Sequence, residues 1–289
     1  MLNDEQKSFY RDNGYLVLPG HLADIVAEAN REIDRLCAPA SELDASDDRL
    51  DLEDSHTRAD PRVRRVKRPD LQSDFFDRLM RSDRILDVAR DLIGPDIRLH
   101  TTKLNMKRAS YGAPVAWHQD FAFYPHTNAD VLAIGIVFDD MAEENGPLQV
   151  IPGSHRGPVL DHHVDGVFAG TCDVREGGYT LDDAVSMKGP AGTVSVHHGH
   201  VLHGSATNRS TRDRRMLFYE MMAADAFPVM GADVAFGSIA QYDRKMLCGE
   251  PTLTPRLEAV SVRIPQPQPA TVGSIYEVQK AAQKRRTSA

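Results

Sequence analysis

Residues 97–106 read IRLHTTKLNM, and the same texture returns in VLAIGIVF at 131–138, LQVIPG at 148–153, GTVSVHH at 192–198 and RRMLFYEMMA at 214–223. Each is a short run of β-branched, aromatic or long apolar residues bounded by turn formers. Several such runs at short intervals predict a mainly β architecture, a sandwich or barrel, with helices added outside it. Glu144, Asn145, Gly146 and Pro147 supply one of the turns, and Gly199 separates two further β-like stretches.

Upstream of this region the period changes. Residues 4–12 and 22–36 have helical spacing, with Leu22, Ile25, Val26, Ala29, Ile33 and Leu36 on one face. Between them, Tyr15 to Gly20 reads as a short strand and turn. Residues 42–70 are rich in Asp and Arg and end in RVRRVKRPD, the pattern of a lid-like loop, and helical spacing returns at 73–93. The stretch 157–190 is too long and polar for a simple turn and reads as a flap. The tail at 250–289, with PQPQP and KAAQKRR, is expected to pack at the periphery and fray. The expected organisation is one domain over 1–289, with its core at about 95–225 and the N-terminal helices and lid-like loop in 1–94.

Composition narrows the function. Hydrophobic residues make up 41% of the 289 and charged residues 26%, enough apolar material for a sizeable core. A net charge of −8 offers no basic footprint for nucleic acid or an anionic membrane, which favours a small-molecule partner. The opening MLNDEQKSFYRDNG is acidic and polar, unlike a signal peptide, and no run approaches the roughly 18 apolar residues of a membrane span, so a cytoplasmic protein is expected. Cys37, Cys172 and Cys248 are widely spaced and form no CxxC pair. Any metal site must therefore be built from His and carboxylates.

Such a set is present. In Trp117, His118, Gln119 and Asp120, the two-residue period of a strand sends His118 and Asp120 to one face, roughly 7 Å apart at Cα. Two His and one carboxylate with open positions form the facial triad of non-haem Fe(II) oxygenases. The third ligand is open at this point, because His197, His198, His200 and His203 compete and spacing does not choose among them. A zinc hydrolase, or a β-sandwich that binds metal without turnover, can be built from the same residue types.

The ordered set HQD at 118–120, NGPLQVIPGSH at 145–155 and HGSATN at 203–208, followed by an arginine eleven residues beyond His203, resembles the phytanoyl-CoA dioxygenase family. The resemblance is strong over 98–222, and DEQKSFYRDNGYLVLPG at 4–20 is similar to the family's opening. It implies a double-stranded β-helix, a cupin-like jelly roll, binding Fe(II) with 2-oxoglutarate and O2 as co-substrates. His203 then becomes the third iron ligand beside His118 and Asp120, while His197, His198 and His200 become strand or supporting residues. Arg214 is implied to bind the far carboxylate of 2-oxoglutarate, which suits its rigid guanidinium fork. Ser205 shares that task, with Lys107 and Asn105 as further contacts; by sequence Lys103 is placed as well as Lys107.

The implied reaction is oxidative decarboxylation of 2-oxoglutarate to succinate and CO2, coupled to hydroxylation of a small metabolite, or to its desaturation or epoxidation. Asp120 is at odds with halogenating relatives, in which a small residue replaces the carboxylate. The substrate is expected to be polar or anionic, with Arg62, Arg64, Arg65, Lys67 and Arg68 either meeting it or forming a solvated basic loop. Thr101, Phe121, Phe123 and Tyr124 are candidates for pocket lining or for core, Trp117 is expected to pack, and Pro152 to His155 to form a structural turn.

Overall fold

The computed structural model describes residues 1–110, 112–232, 236–270 and 275–288. The chain begins α1 (Asp4–Asn13), β1 (Tyr15–Leu18), α2 (Val26–Cys37), β2 (Leu50–Leu52), β3 (Val63–Lys67), α3 (Pro69–Gln72), α4 (Asp74–Met80) and α5 (Asp83–Ile93). It continues β4 (Ile97–Lys107), β5 (Val115–His118), β6 (Val131–Val137), β7 (Leu148–Val150), β8 (His163–Val164), β9 (Val167–Phe168) and β10 (Val185–Ser186). It closes β11 (Val194–His198), β12 (His203–Ser205), β13 (Arg214–Ala223), α6 (Ile239–Asp243), β14 (Met246–Cys248) and α7 (Ile275–Ser288).

The large antiparallel sheet runs β1-β11-β6-β13-β4-β3-β2, with β14 on the end of β4; the small one runs β10-β7-β12-β5. The period of two explains why its central strands are apolar throughout. Leu132, Ile134 and Ile136 of β6 and Leu217, Tyr219 and Met221 of β13 point to the helices and join the core built by α2 and α5. Their alternates Ala133, Val137, Met216 and Phe218 point the other way and pack on Leu148 and Val150 of the small sheet. This is the expected jelly roll with helices on one outer face.

Two regions differ from their reading by sequence. The 42–70 segment contains β2 and β3, which extend the large sheet through the register Arg65 to Asn105 and Lys67 to Lys103. Its charges are internally paired: Asp51, 4% exposed, receives Arg65 at 2.6 Å and Lys67 at 2.8 Å. Charged side chains matched across strands hid the strand pattern. The tail brings α7 back onto β5, where the Gln279 side chain accepts from the Ala116 amide (3.0 Å) and donates to the Gly170 carbonyl (2.8 Å). None of the helices described is long and apolar enough to cross a membrane.

Candidate active site

β5 and β12 are antiparallel neighbours, and their register sets His118 opposite His203. The two rings lie 4.0 Å apart between centroids. β5 ends at His118, and Asp120 opens a short helical turn instead of continuing the strand, yet its carboxylate still reaches both imidazoles. Asp120 Oδ1 is 3.7 Å from Nε2 of each histidine, and the three donor atoms lie within 4.8 Å of one another. All three residues are buried.

The tautomers follow from the hydrogen bonds. His118 Nδ1 faces the Ala116 carbonyl at 2.8 Å and His203 Nδ1 faces the Val201 carbonyl at 3.0 Å. A carbonyl only accepts, so both Nδ1 atoms carry the proton and both Nε2 lone pairs face inward. Burial, ahead of the neighbouring His118, pushes His203 well below the usual imidazole range and keeps it neutral. Burial opposes ionisation of Asp120, but the charge of Lys103, with the hydrogen bond from His197, holds its carboxyl well below the ordinary range. Two neutral imidazoles and one carboxylate suit a divalent ion of the iron or zinc type.

His197 fixes the carboxylate from behind: its Nε2 donates to Asp120 Oδ2 at 3.1 Å, leaving Oδ1 turned to the two histidines. Such supporting hydrogen bonds set ligand orientation. Replacing His197 by alanine is expected to weaken divalent-metal binding about tenfold or more. Metal titration checks this, and affinity within twofold of the wild type would remove the role.

Beside the two imidazoles lies a cavity of about 40 Å³, lined among others by Asn105, Ser205, Arg214 and Tyr276. Arg214 is 3% exposed and its Nη2 donates to the Gly146 carbonyl at 2.9 Å, while its Nε meets no acceptor among the described residues. Burial draws its guanidinium down to about 10. A buried cation without a carboxylate partner is expensive, and it calls for an anion in this cavity. Gly146 adopts φ +68°, and a side chain there would strike the Ala206 carbonyl, so the turn that anchors Arg214 requires glycine.

The remaining sequence candidates divide. Ser205 and Asn105 line the cavity, and the Asn105 Oδ1 has no hydrogen-bond partner among the described residues. Lys107 lies behind them: its Nζ donates to Ser205 Oγ at 2.8 Å and to the Ala206 carbonyl. Burial, then the charge of Arg214, pulls Lys107 down to about 6 against the opposing pull of Glu53. Lys103 does line the cavity and is ion-paired with Glu220.

A second cavity of about 410 Å³, lined by Asp120 and sharing Lys103 and Asn105 with the first, is walled in part by Arg65, Thr101, Phe123, Tyr124 and Glu220. Phe121 instead belongs to the core with Val131, Met222 and Tyr242. Trp117 packs against the cluster of Ile151, Leu160 and Leu202. Ser154 to Arg156 form a helical turn whose Ser154 Oγ accepts from the Leu202 amide, the structural role expected. Sequence reasoning missed Ile275 and Tyr276 of α7, which close the small cavity, and Tyr276 lies against Arg64 at 4.9 Å.

Comparison with known proteins agrees with this geometry. The phytanoyl-CoA dioxygenase (PhyH) profile matches residues 10–216. A probable alpha-ketoglutarate-dependent hypophosphite dioxygenase of Stutzerimonas stutzeri is 37% identical over 282 residues, covering 96% of this chain and 97% of that one. The L-proline trans-4-hydroxylase of Streptomyces griseoviridis is 36% identical over 170 residues, 48% of this chain and 60% of that one. The crystal structure of EctD from S. alaskensis with bound Fe superposes with a TM-score of 0.67 at 26% identity, covering 78% of this chain and 79% of that one. The chain belongs to the phytanoyl-CoA dioxygenase family of iron- and 2-oxoglutarate-dependent oxygenases.

Proposed function

We propose that His118, Asp120 and His203 hold Fe(II), that 2-oxoglutarate occupies the small cavity with its far carboxylate on Arg214 and Ser205, and that a small polar molecule is hydroxylated in the large one. The observation that carries this reading is Arg214, a buried guanidinium with no carboxylate partner among the described residues, opening on the same cavity as His118 and His203. Bound at this centre, iron supplies the oxidising chemistry that turns 2-oxoglutarate and O2 into succinate and CO2 while a substrate bond is hydroxylated.

The residues of the chain do the rest. His197 keeps Asp120 turned toward the two histidines. Arg214 offers a bidentate fork to a carboxylate. Lys107 accepts a proton at Nζ more readily once a dicarboxylate arrives nearby, and then strengthens its hold on Ser205. Phe123 and Phe168, in edge contact at 5.0 Å, keep water from one side of the substrate cavity. The charged and amide side chains set into the walls of that cavity, Arg65, Lys103, Asn105 and Glu220, favour a small polar substrate over a long acyl chain. The same reading treats the whole chain as one catalytic unit working in the cytoplasm.

The test is Fe(II)- and O2-dependent release of succinate from 2-oxoglutarate by the purified protein, measured with hypophosphite, L-proline and an acyl-CoA as candidate substrates. Substrate-stimulated succinate is expected with a small molecule. A protein that binds neither iron nor 2-oxoglutarate overturns the assignment, and stimulation by acyl-CoA alone overturns the substrate class.

A further inference from the structure

The large cavity beside Asp120 contains more unmet polar chemistry than a structural void would. Arg65 Nε, Asn105 Oδ1 and His100 Nδ1 all line it, are buried, and have no hydrogen-bond partner among the described residues. Buried polar atoms are rarely left so, because each costs free energy unless a ligand completes it. Burial, followed by the charges of Lys245 and Lys103, pulls His100 down to about 3, so its imidazole is neutral and contributes hydrogen bonding without charge.

The charges decide the kind of ligand. Lys103 is matched by Glu220, which is 1% exposed. Arg65 and Lys67 share one carboxylate, Asp51. Asp120 is committed to the metal. Two cations, Arg65 and Lys103, and two carboxylates, Glu220 and Asp120, line the cavity; with Glu220 matched to Lys103 and Asp120 given to the metal, Arg65 is left over, its partner Asp51 being shared with Lys67 and not part of the lining. A zwitterion would need a free carboxylate for its ammonium, and every carboxylate in these walls already has a cation. Of the five basic residues at 62–68, Arg65 reaches this cavity: Arg62 holds Asp60 at 2.6 Å, Lys67 holds Asp51, and Arg64 lies on Tyr276.

We infer that this cavity seats a small oxyanion bearing a single negative charge, of phosphinate or carboxylate type, held by Arg65 with Lys103 and completed by an N–H of His100. The inference rests on the proposed function and narrows its substrate from any polar molecule to a monoanion. Arg65 is the specificity-determining residue. Its strand neighbour Lys67 keeps Asp51 paired when Arg65 is changed, so the fold survives the substitution.

The test uses the Fe(II)-loaded protein. Anaerobic addition of 2-oxoglutarate, followed by the visible absorption band of its iron chelate, reports the underlying reading alone. Sodium hypophosphite, sodium acetate, L-proline and glycerol are then added separately, and binding is followed by calorimetry and by coupled succinate release. Hypophosphite or acetate is expected to bind and drive turnover, their relative KM values separating phosphinate from carboxylate recognition. Arg65→Gln should raise that KM about tenfold or more, with partial recovery in Arg65→Lys. Thr101→Asp, which sets a carboxylate in the same wall, should weaken the anion similarly. A band with turnover driven only by proline or glycerol, or an anion KM within twofold of wild type in Arg65→Gln, overturns the inference and leaves the function standing. No band overturns both.

Discussion

Substituting His203 with alanine is expected to lower iron affinity by more than about 100-fold and to bring succinate formation down to background. Removing a partner that only orients a ligand already costs 10–100-fold, and His203 offers a lone pair itself. Its Nε2 faces Asp120 Oδ1 across 3.7 Å, and its Nδ1 proton is held by the Val201 carbonyl, so no rotation of a neighbour can replace it. His197 is near, with ring centroids 4.5 Å apart, but its Nε2 already donates to the far oxygen of Asp120. Iron titration and succinate assay, with a thermal melt to show that the variant is folded, make the comparison. Iron binding and turnover within tenfold of wild type would sink the ligand assignment.

Arg214→Ala should act on the co-substrate. Truncating one side of a buried charge pair costs 2–5 kcal/mol, which corresponds to a KM for 2-oxoglutarate raised at least about 30-fold. Turnover should return in part at high 2-oxoglutarate, because the iron ligands are untouched. Arg214→Lys is expected to recover little, since an ammonium cannot present two parallel donors. Steady-state kinetics against 2-oxoglutarate checks both variants. An unchanged KM in Arg214→Ala would move the co-substrate out of this cavity, and a hydrolase would be indifferent to the change.

The legible and illegible parts of this molecule separate by the distance over which information must travel. The short β-prone apolar runs of β6 and β13, bounded by turn residues, are a local signal, and they were enough for a β architecture. Four histidines between 197 and 203 looked equivalent because the choice among them depends on which strand β12 meets: register with β5 selects His203, and register with β6 sends His197 to Asp120 from the other sheet. The family resemblance supplied the same choice by position. β2 and β3 escaped because Asp51, Arg65 and Lys67 are polar yet mutually satisfied, a pairing that composition reads as a loop. The contact of Gln279 with Ala116 joins residues 163 apart, and nothing local in a helix announces what it covers.

The roof formed by α7 bears on how this enzyme could diverge. Ile275 lines both cavities beside the metal site and Val278 the larger one, and both lie beyond residues 10–216, the stretch that the family profile matches. The metal-binding residues thus lie in one portion of the gene, while part of the lining of both cavities is written in another. Exchange or drift in the final segment can retune selectivity without disturbing the iron centre, so descendants with near-identical cores are expected to differ in diet according to their last helix.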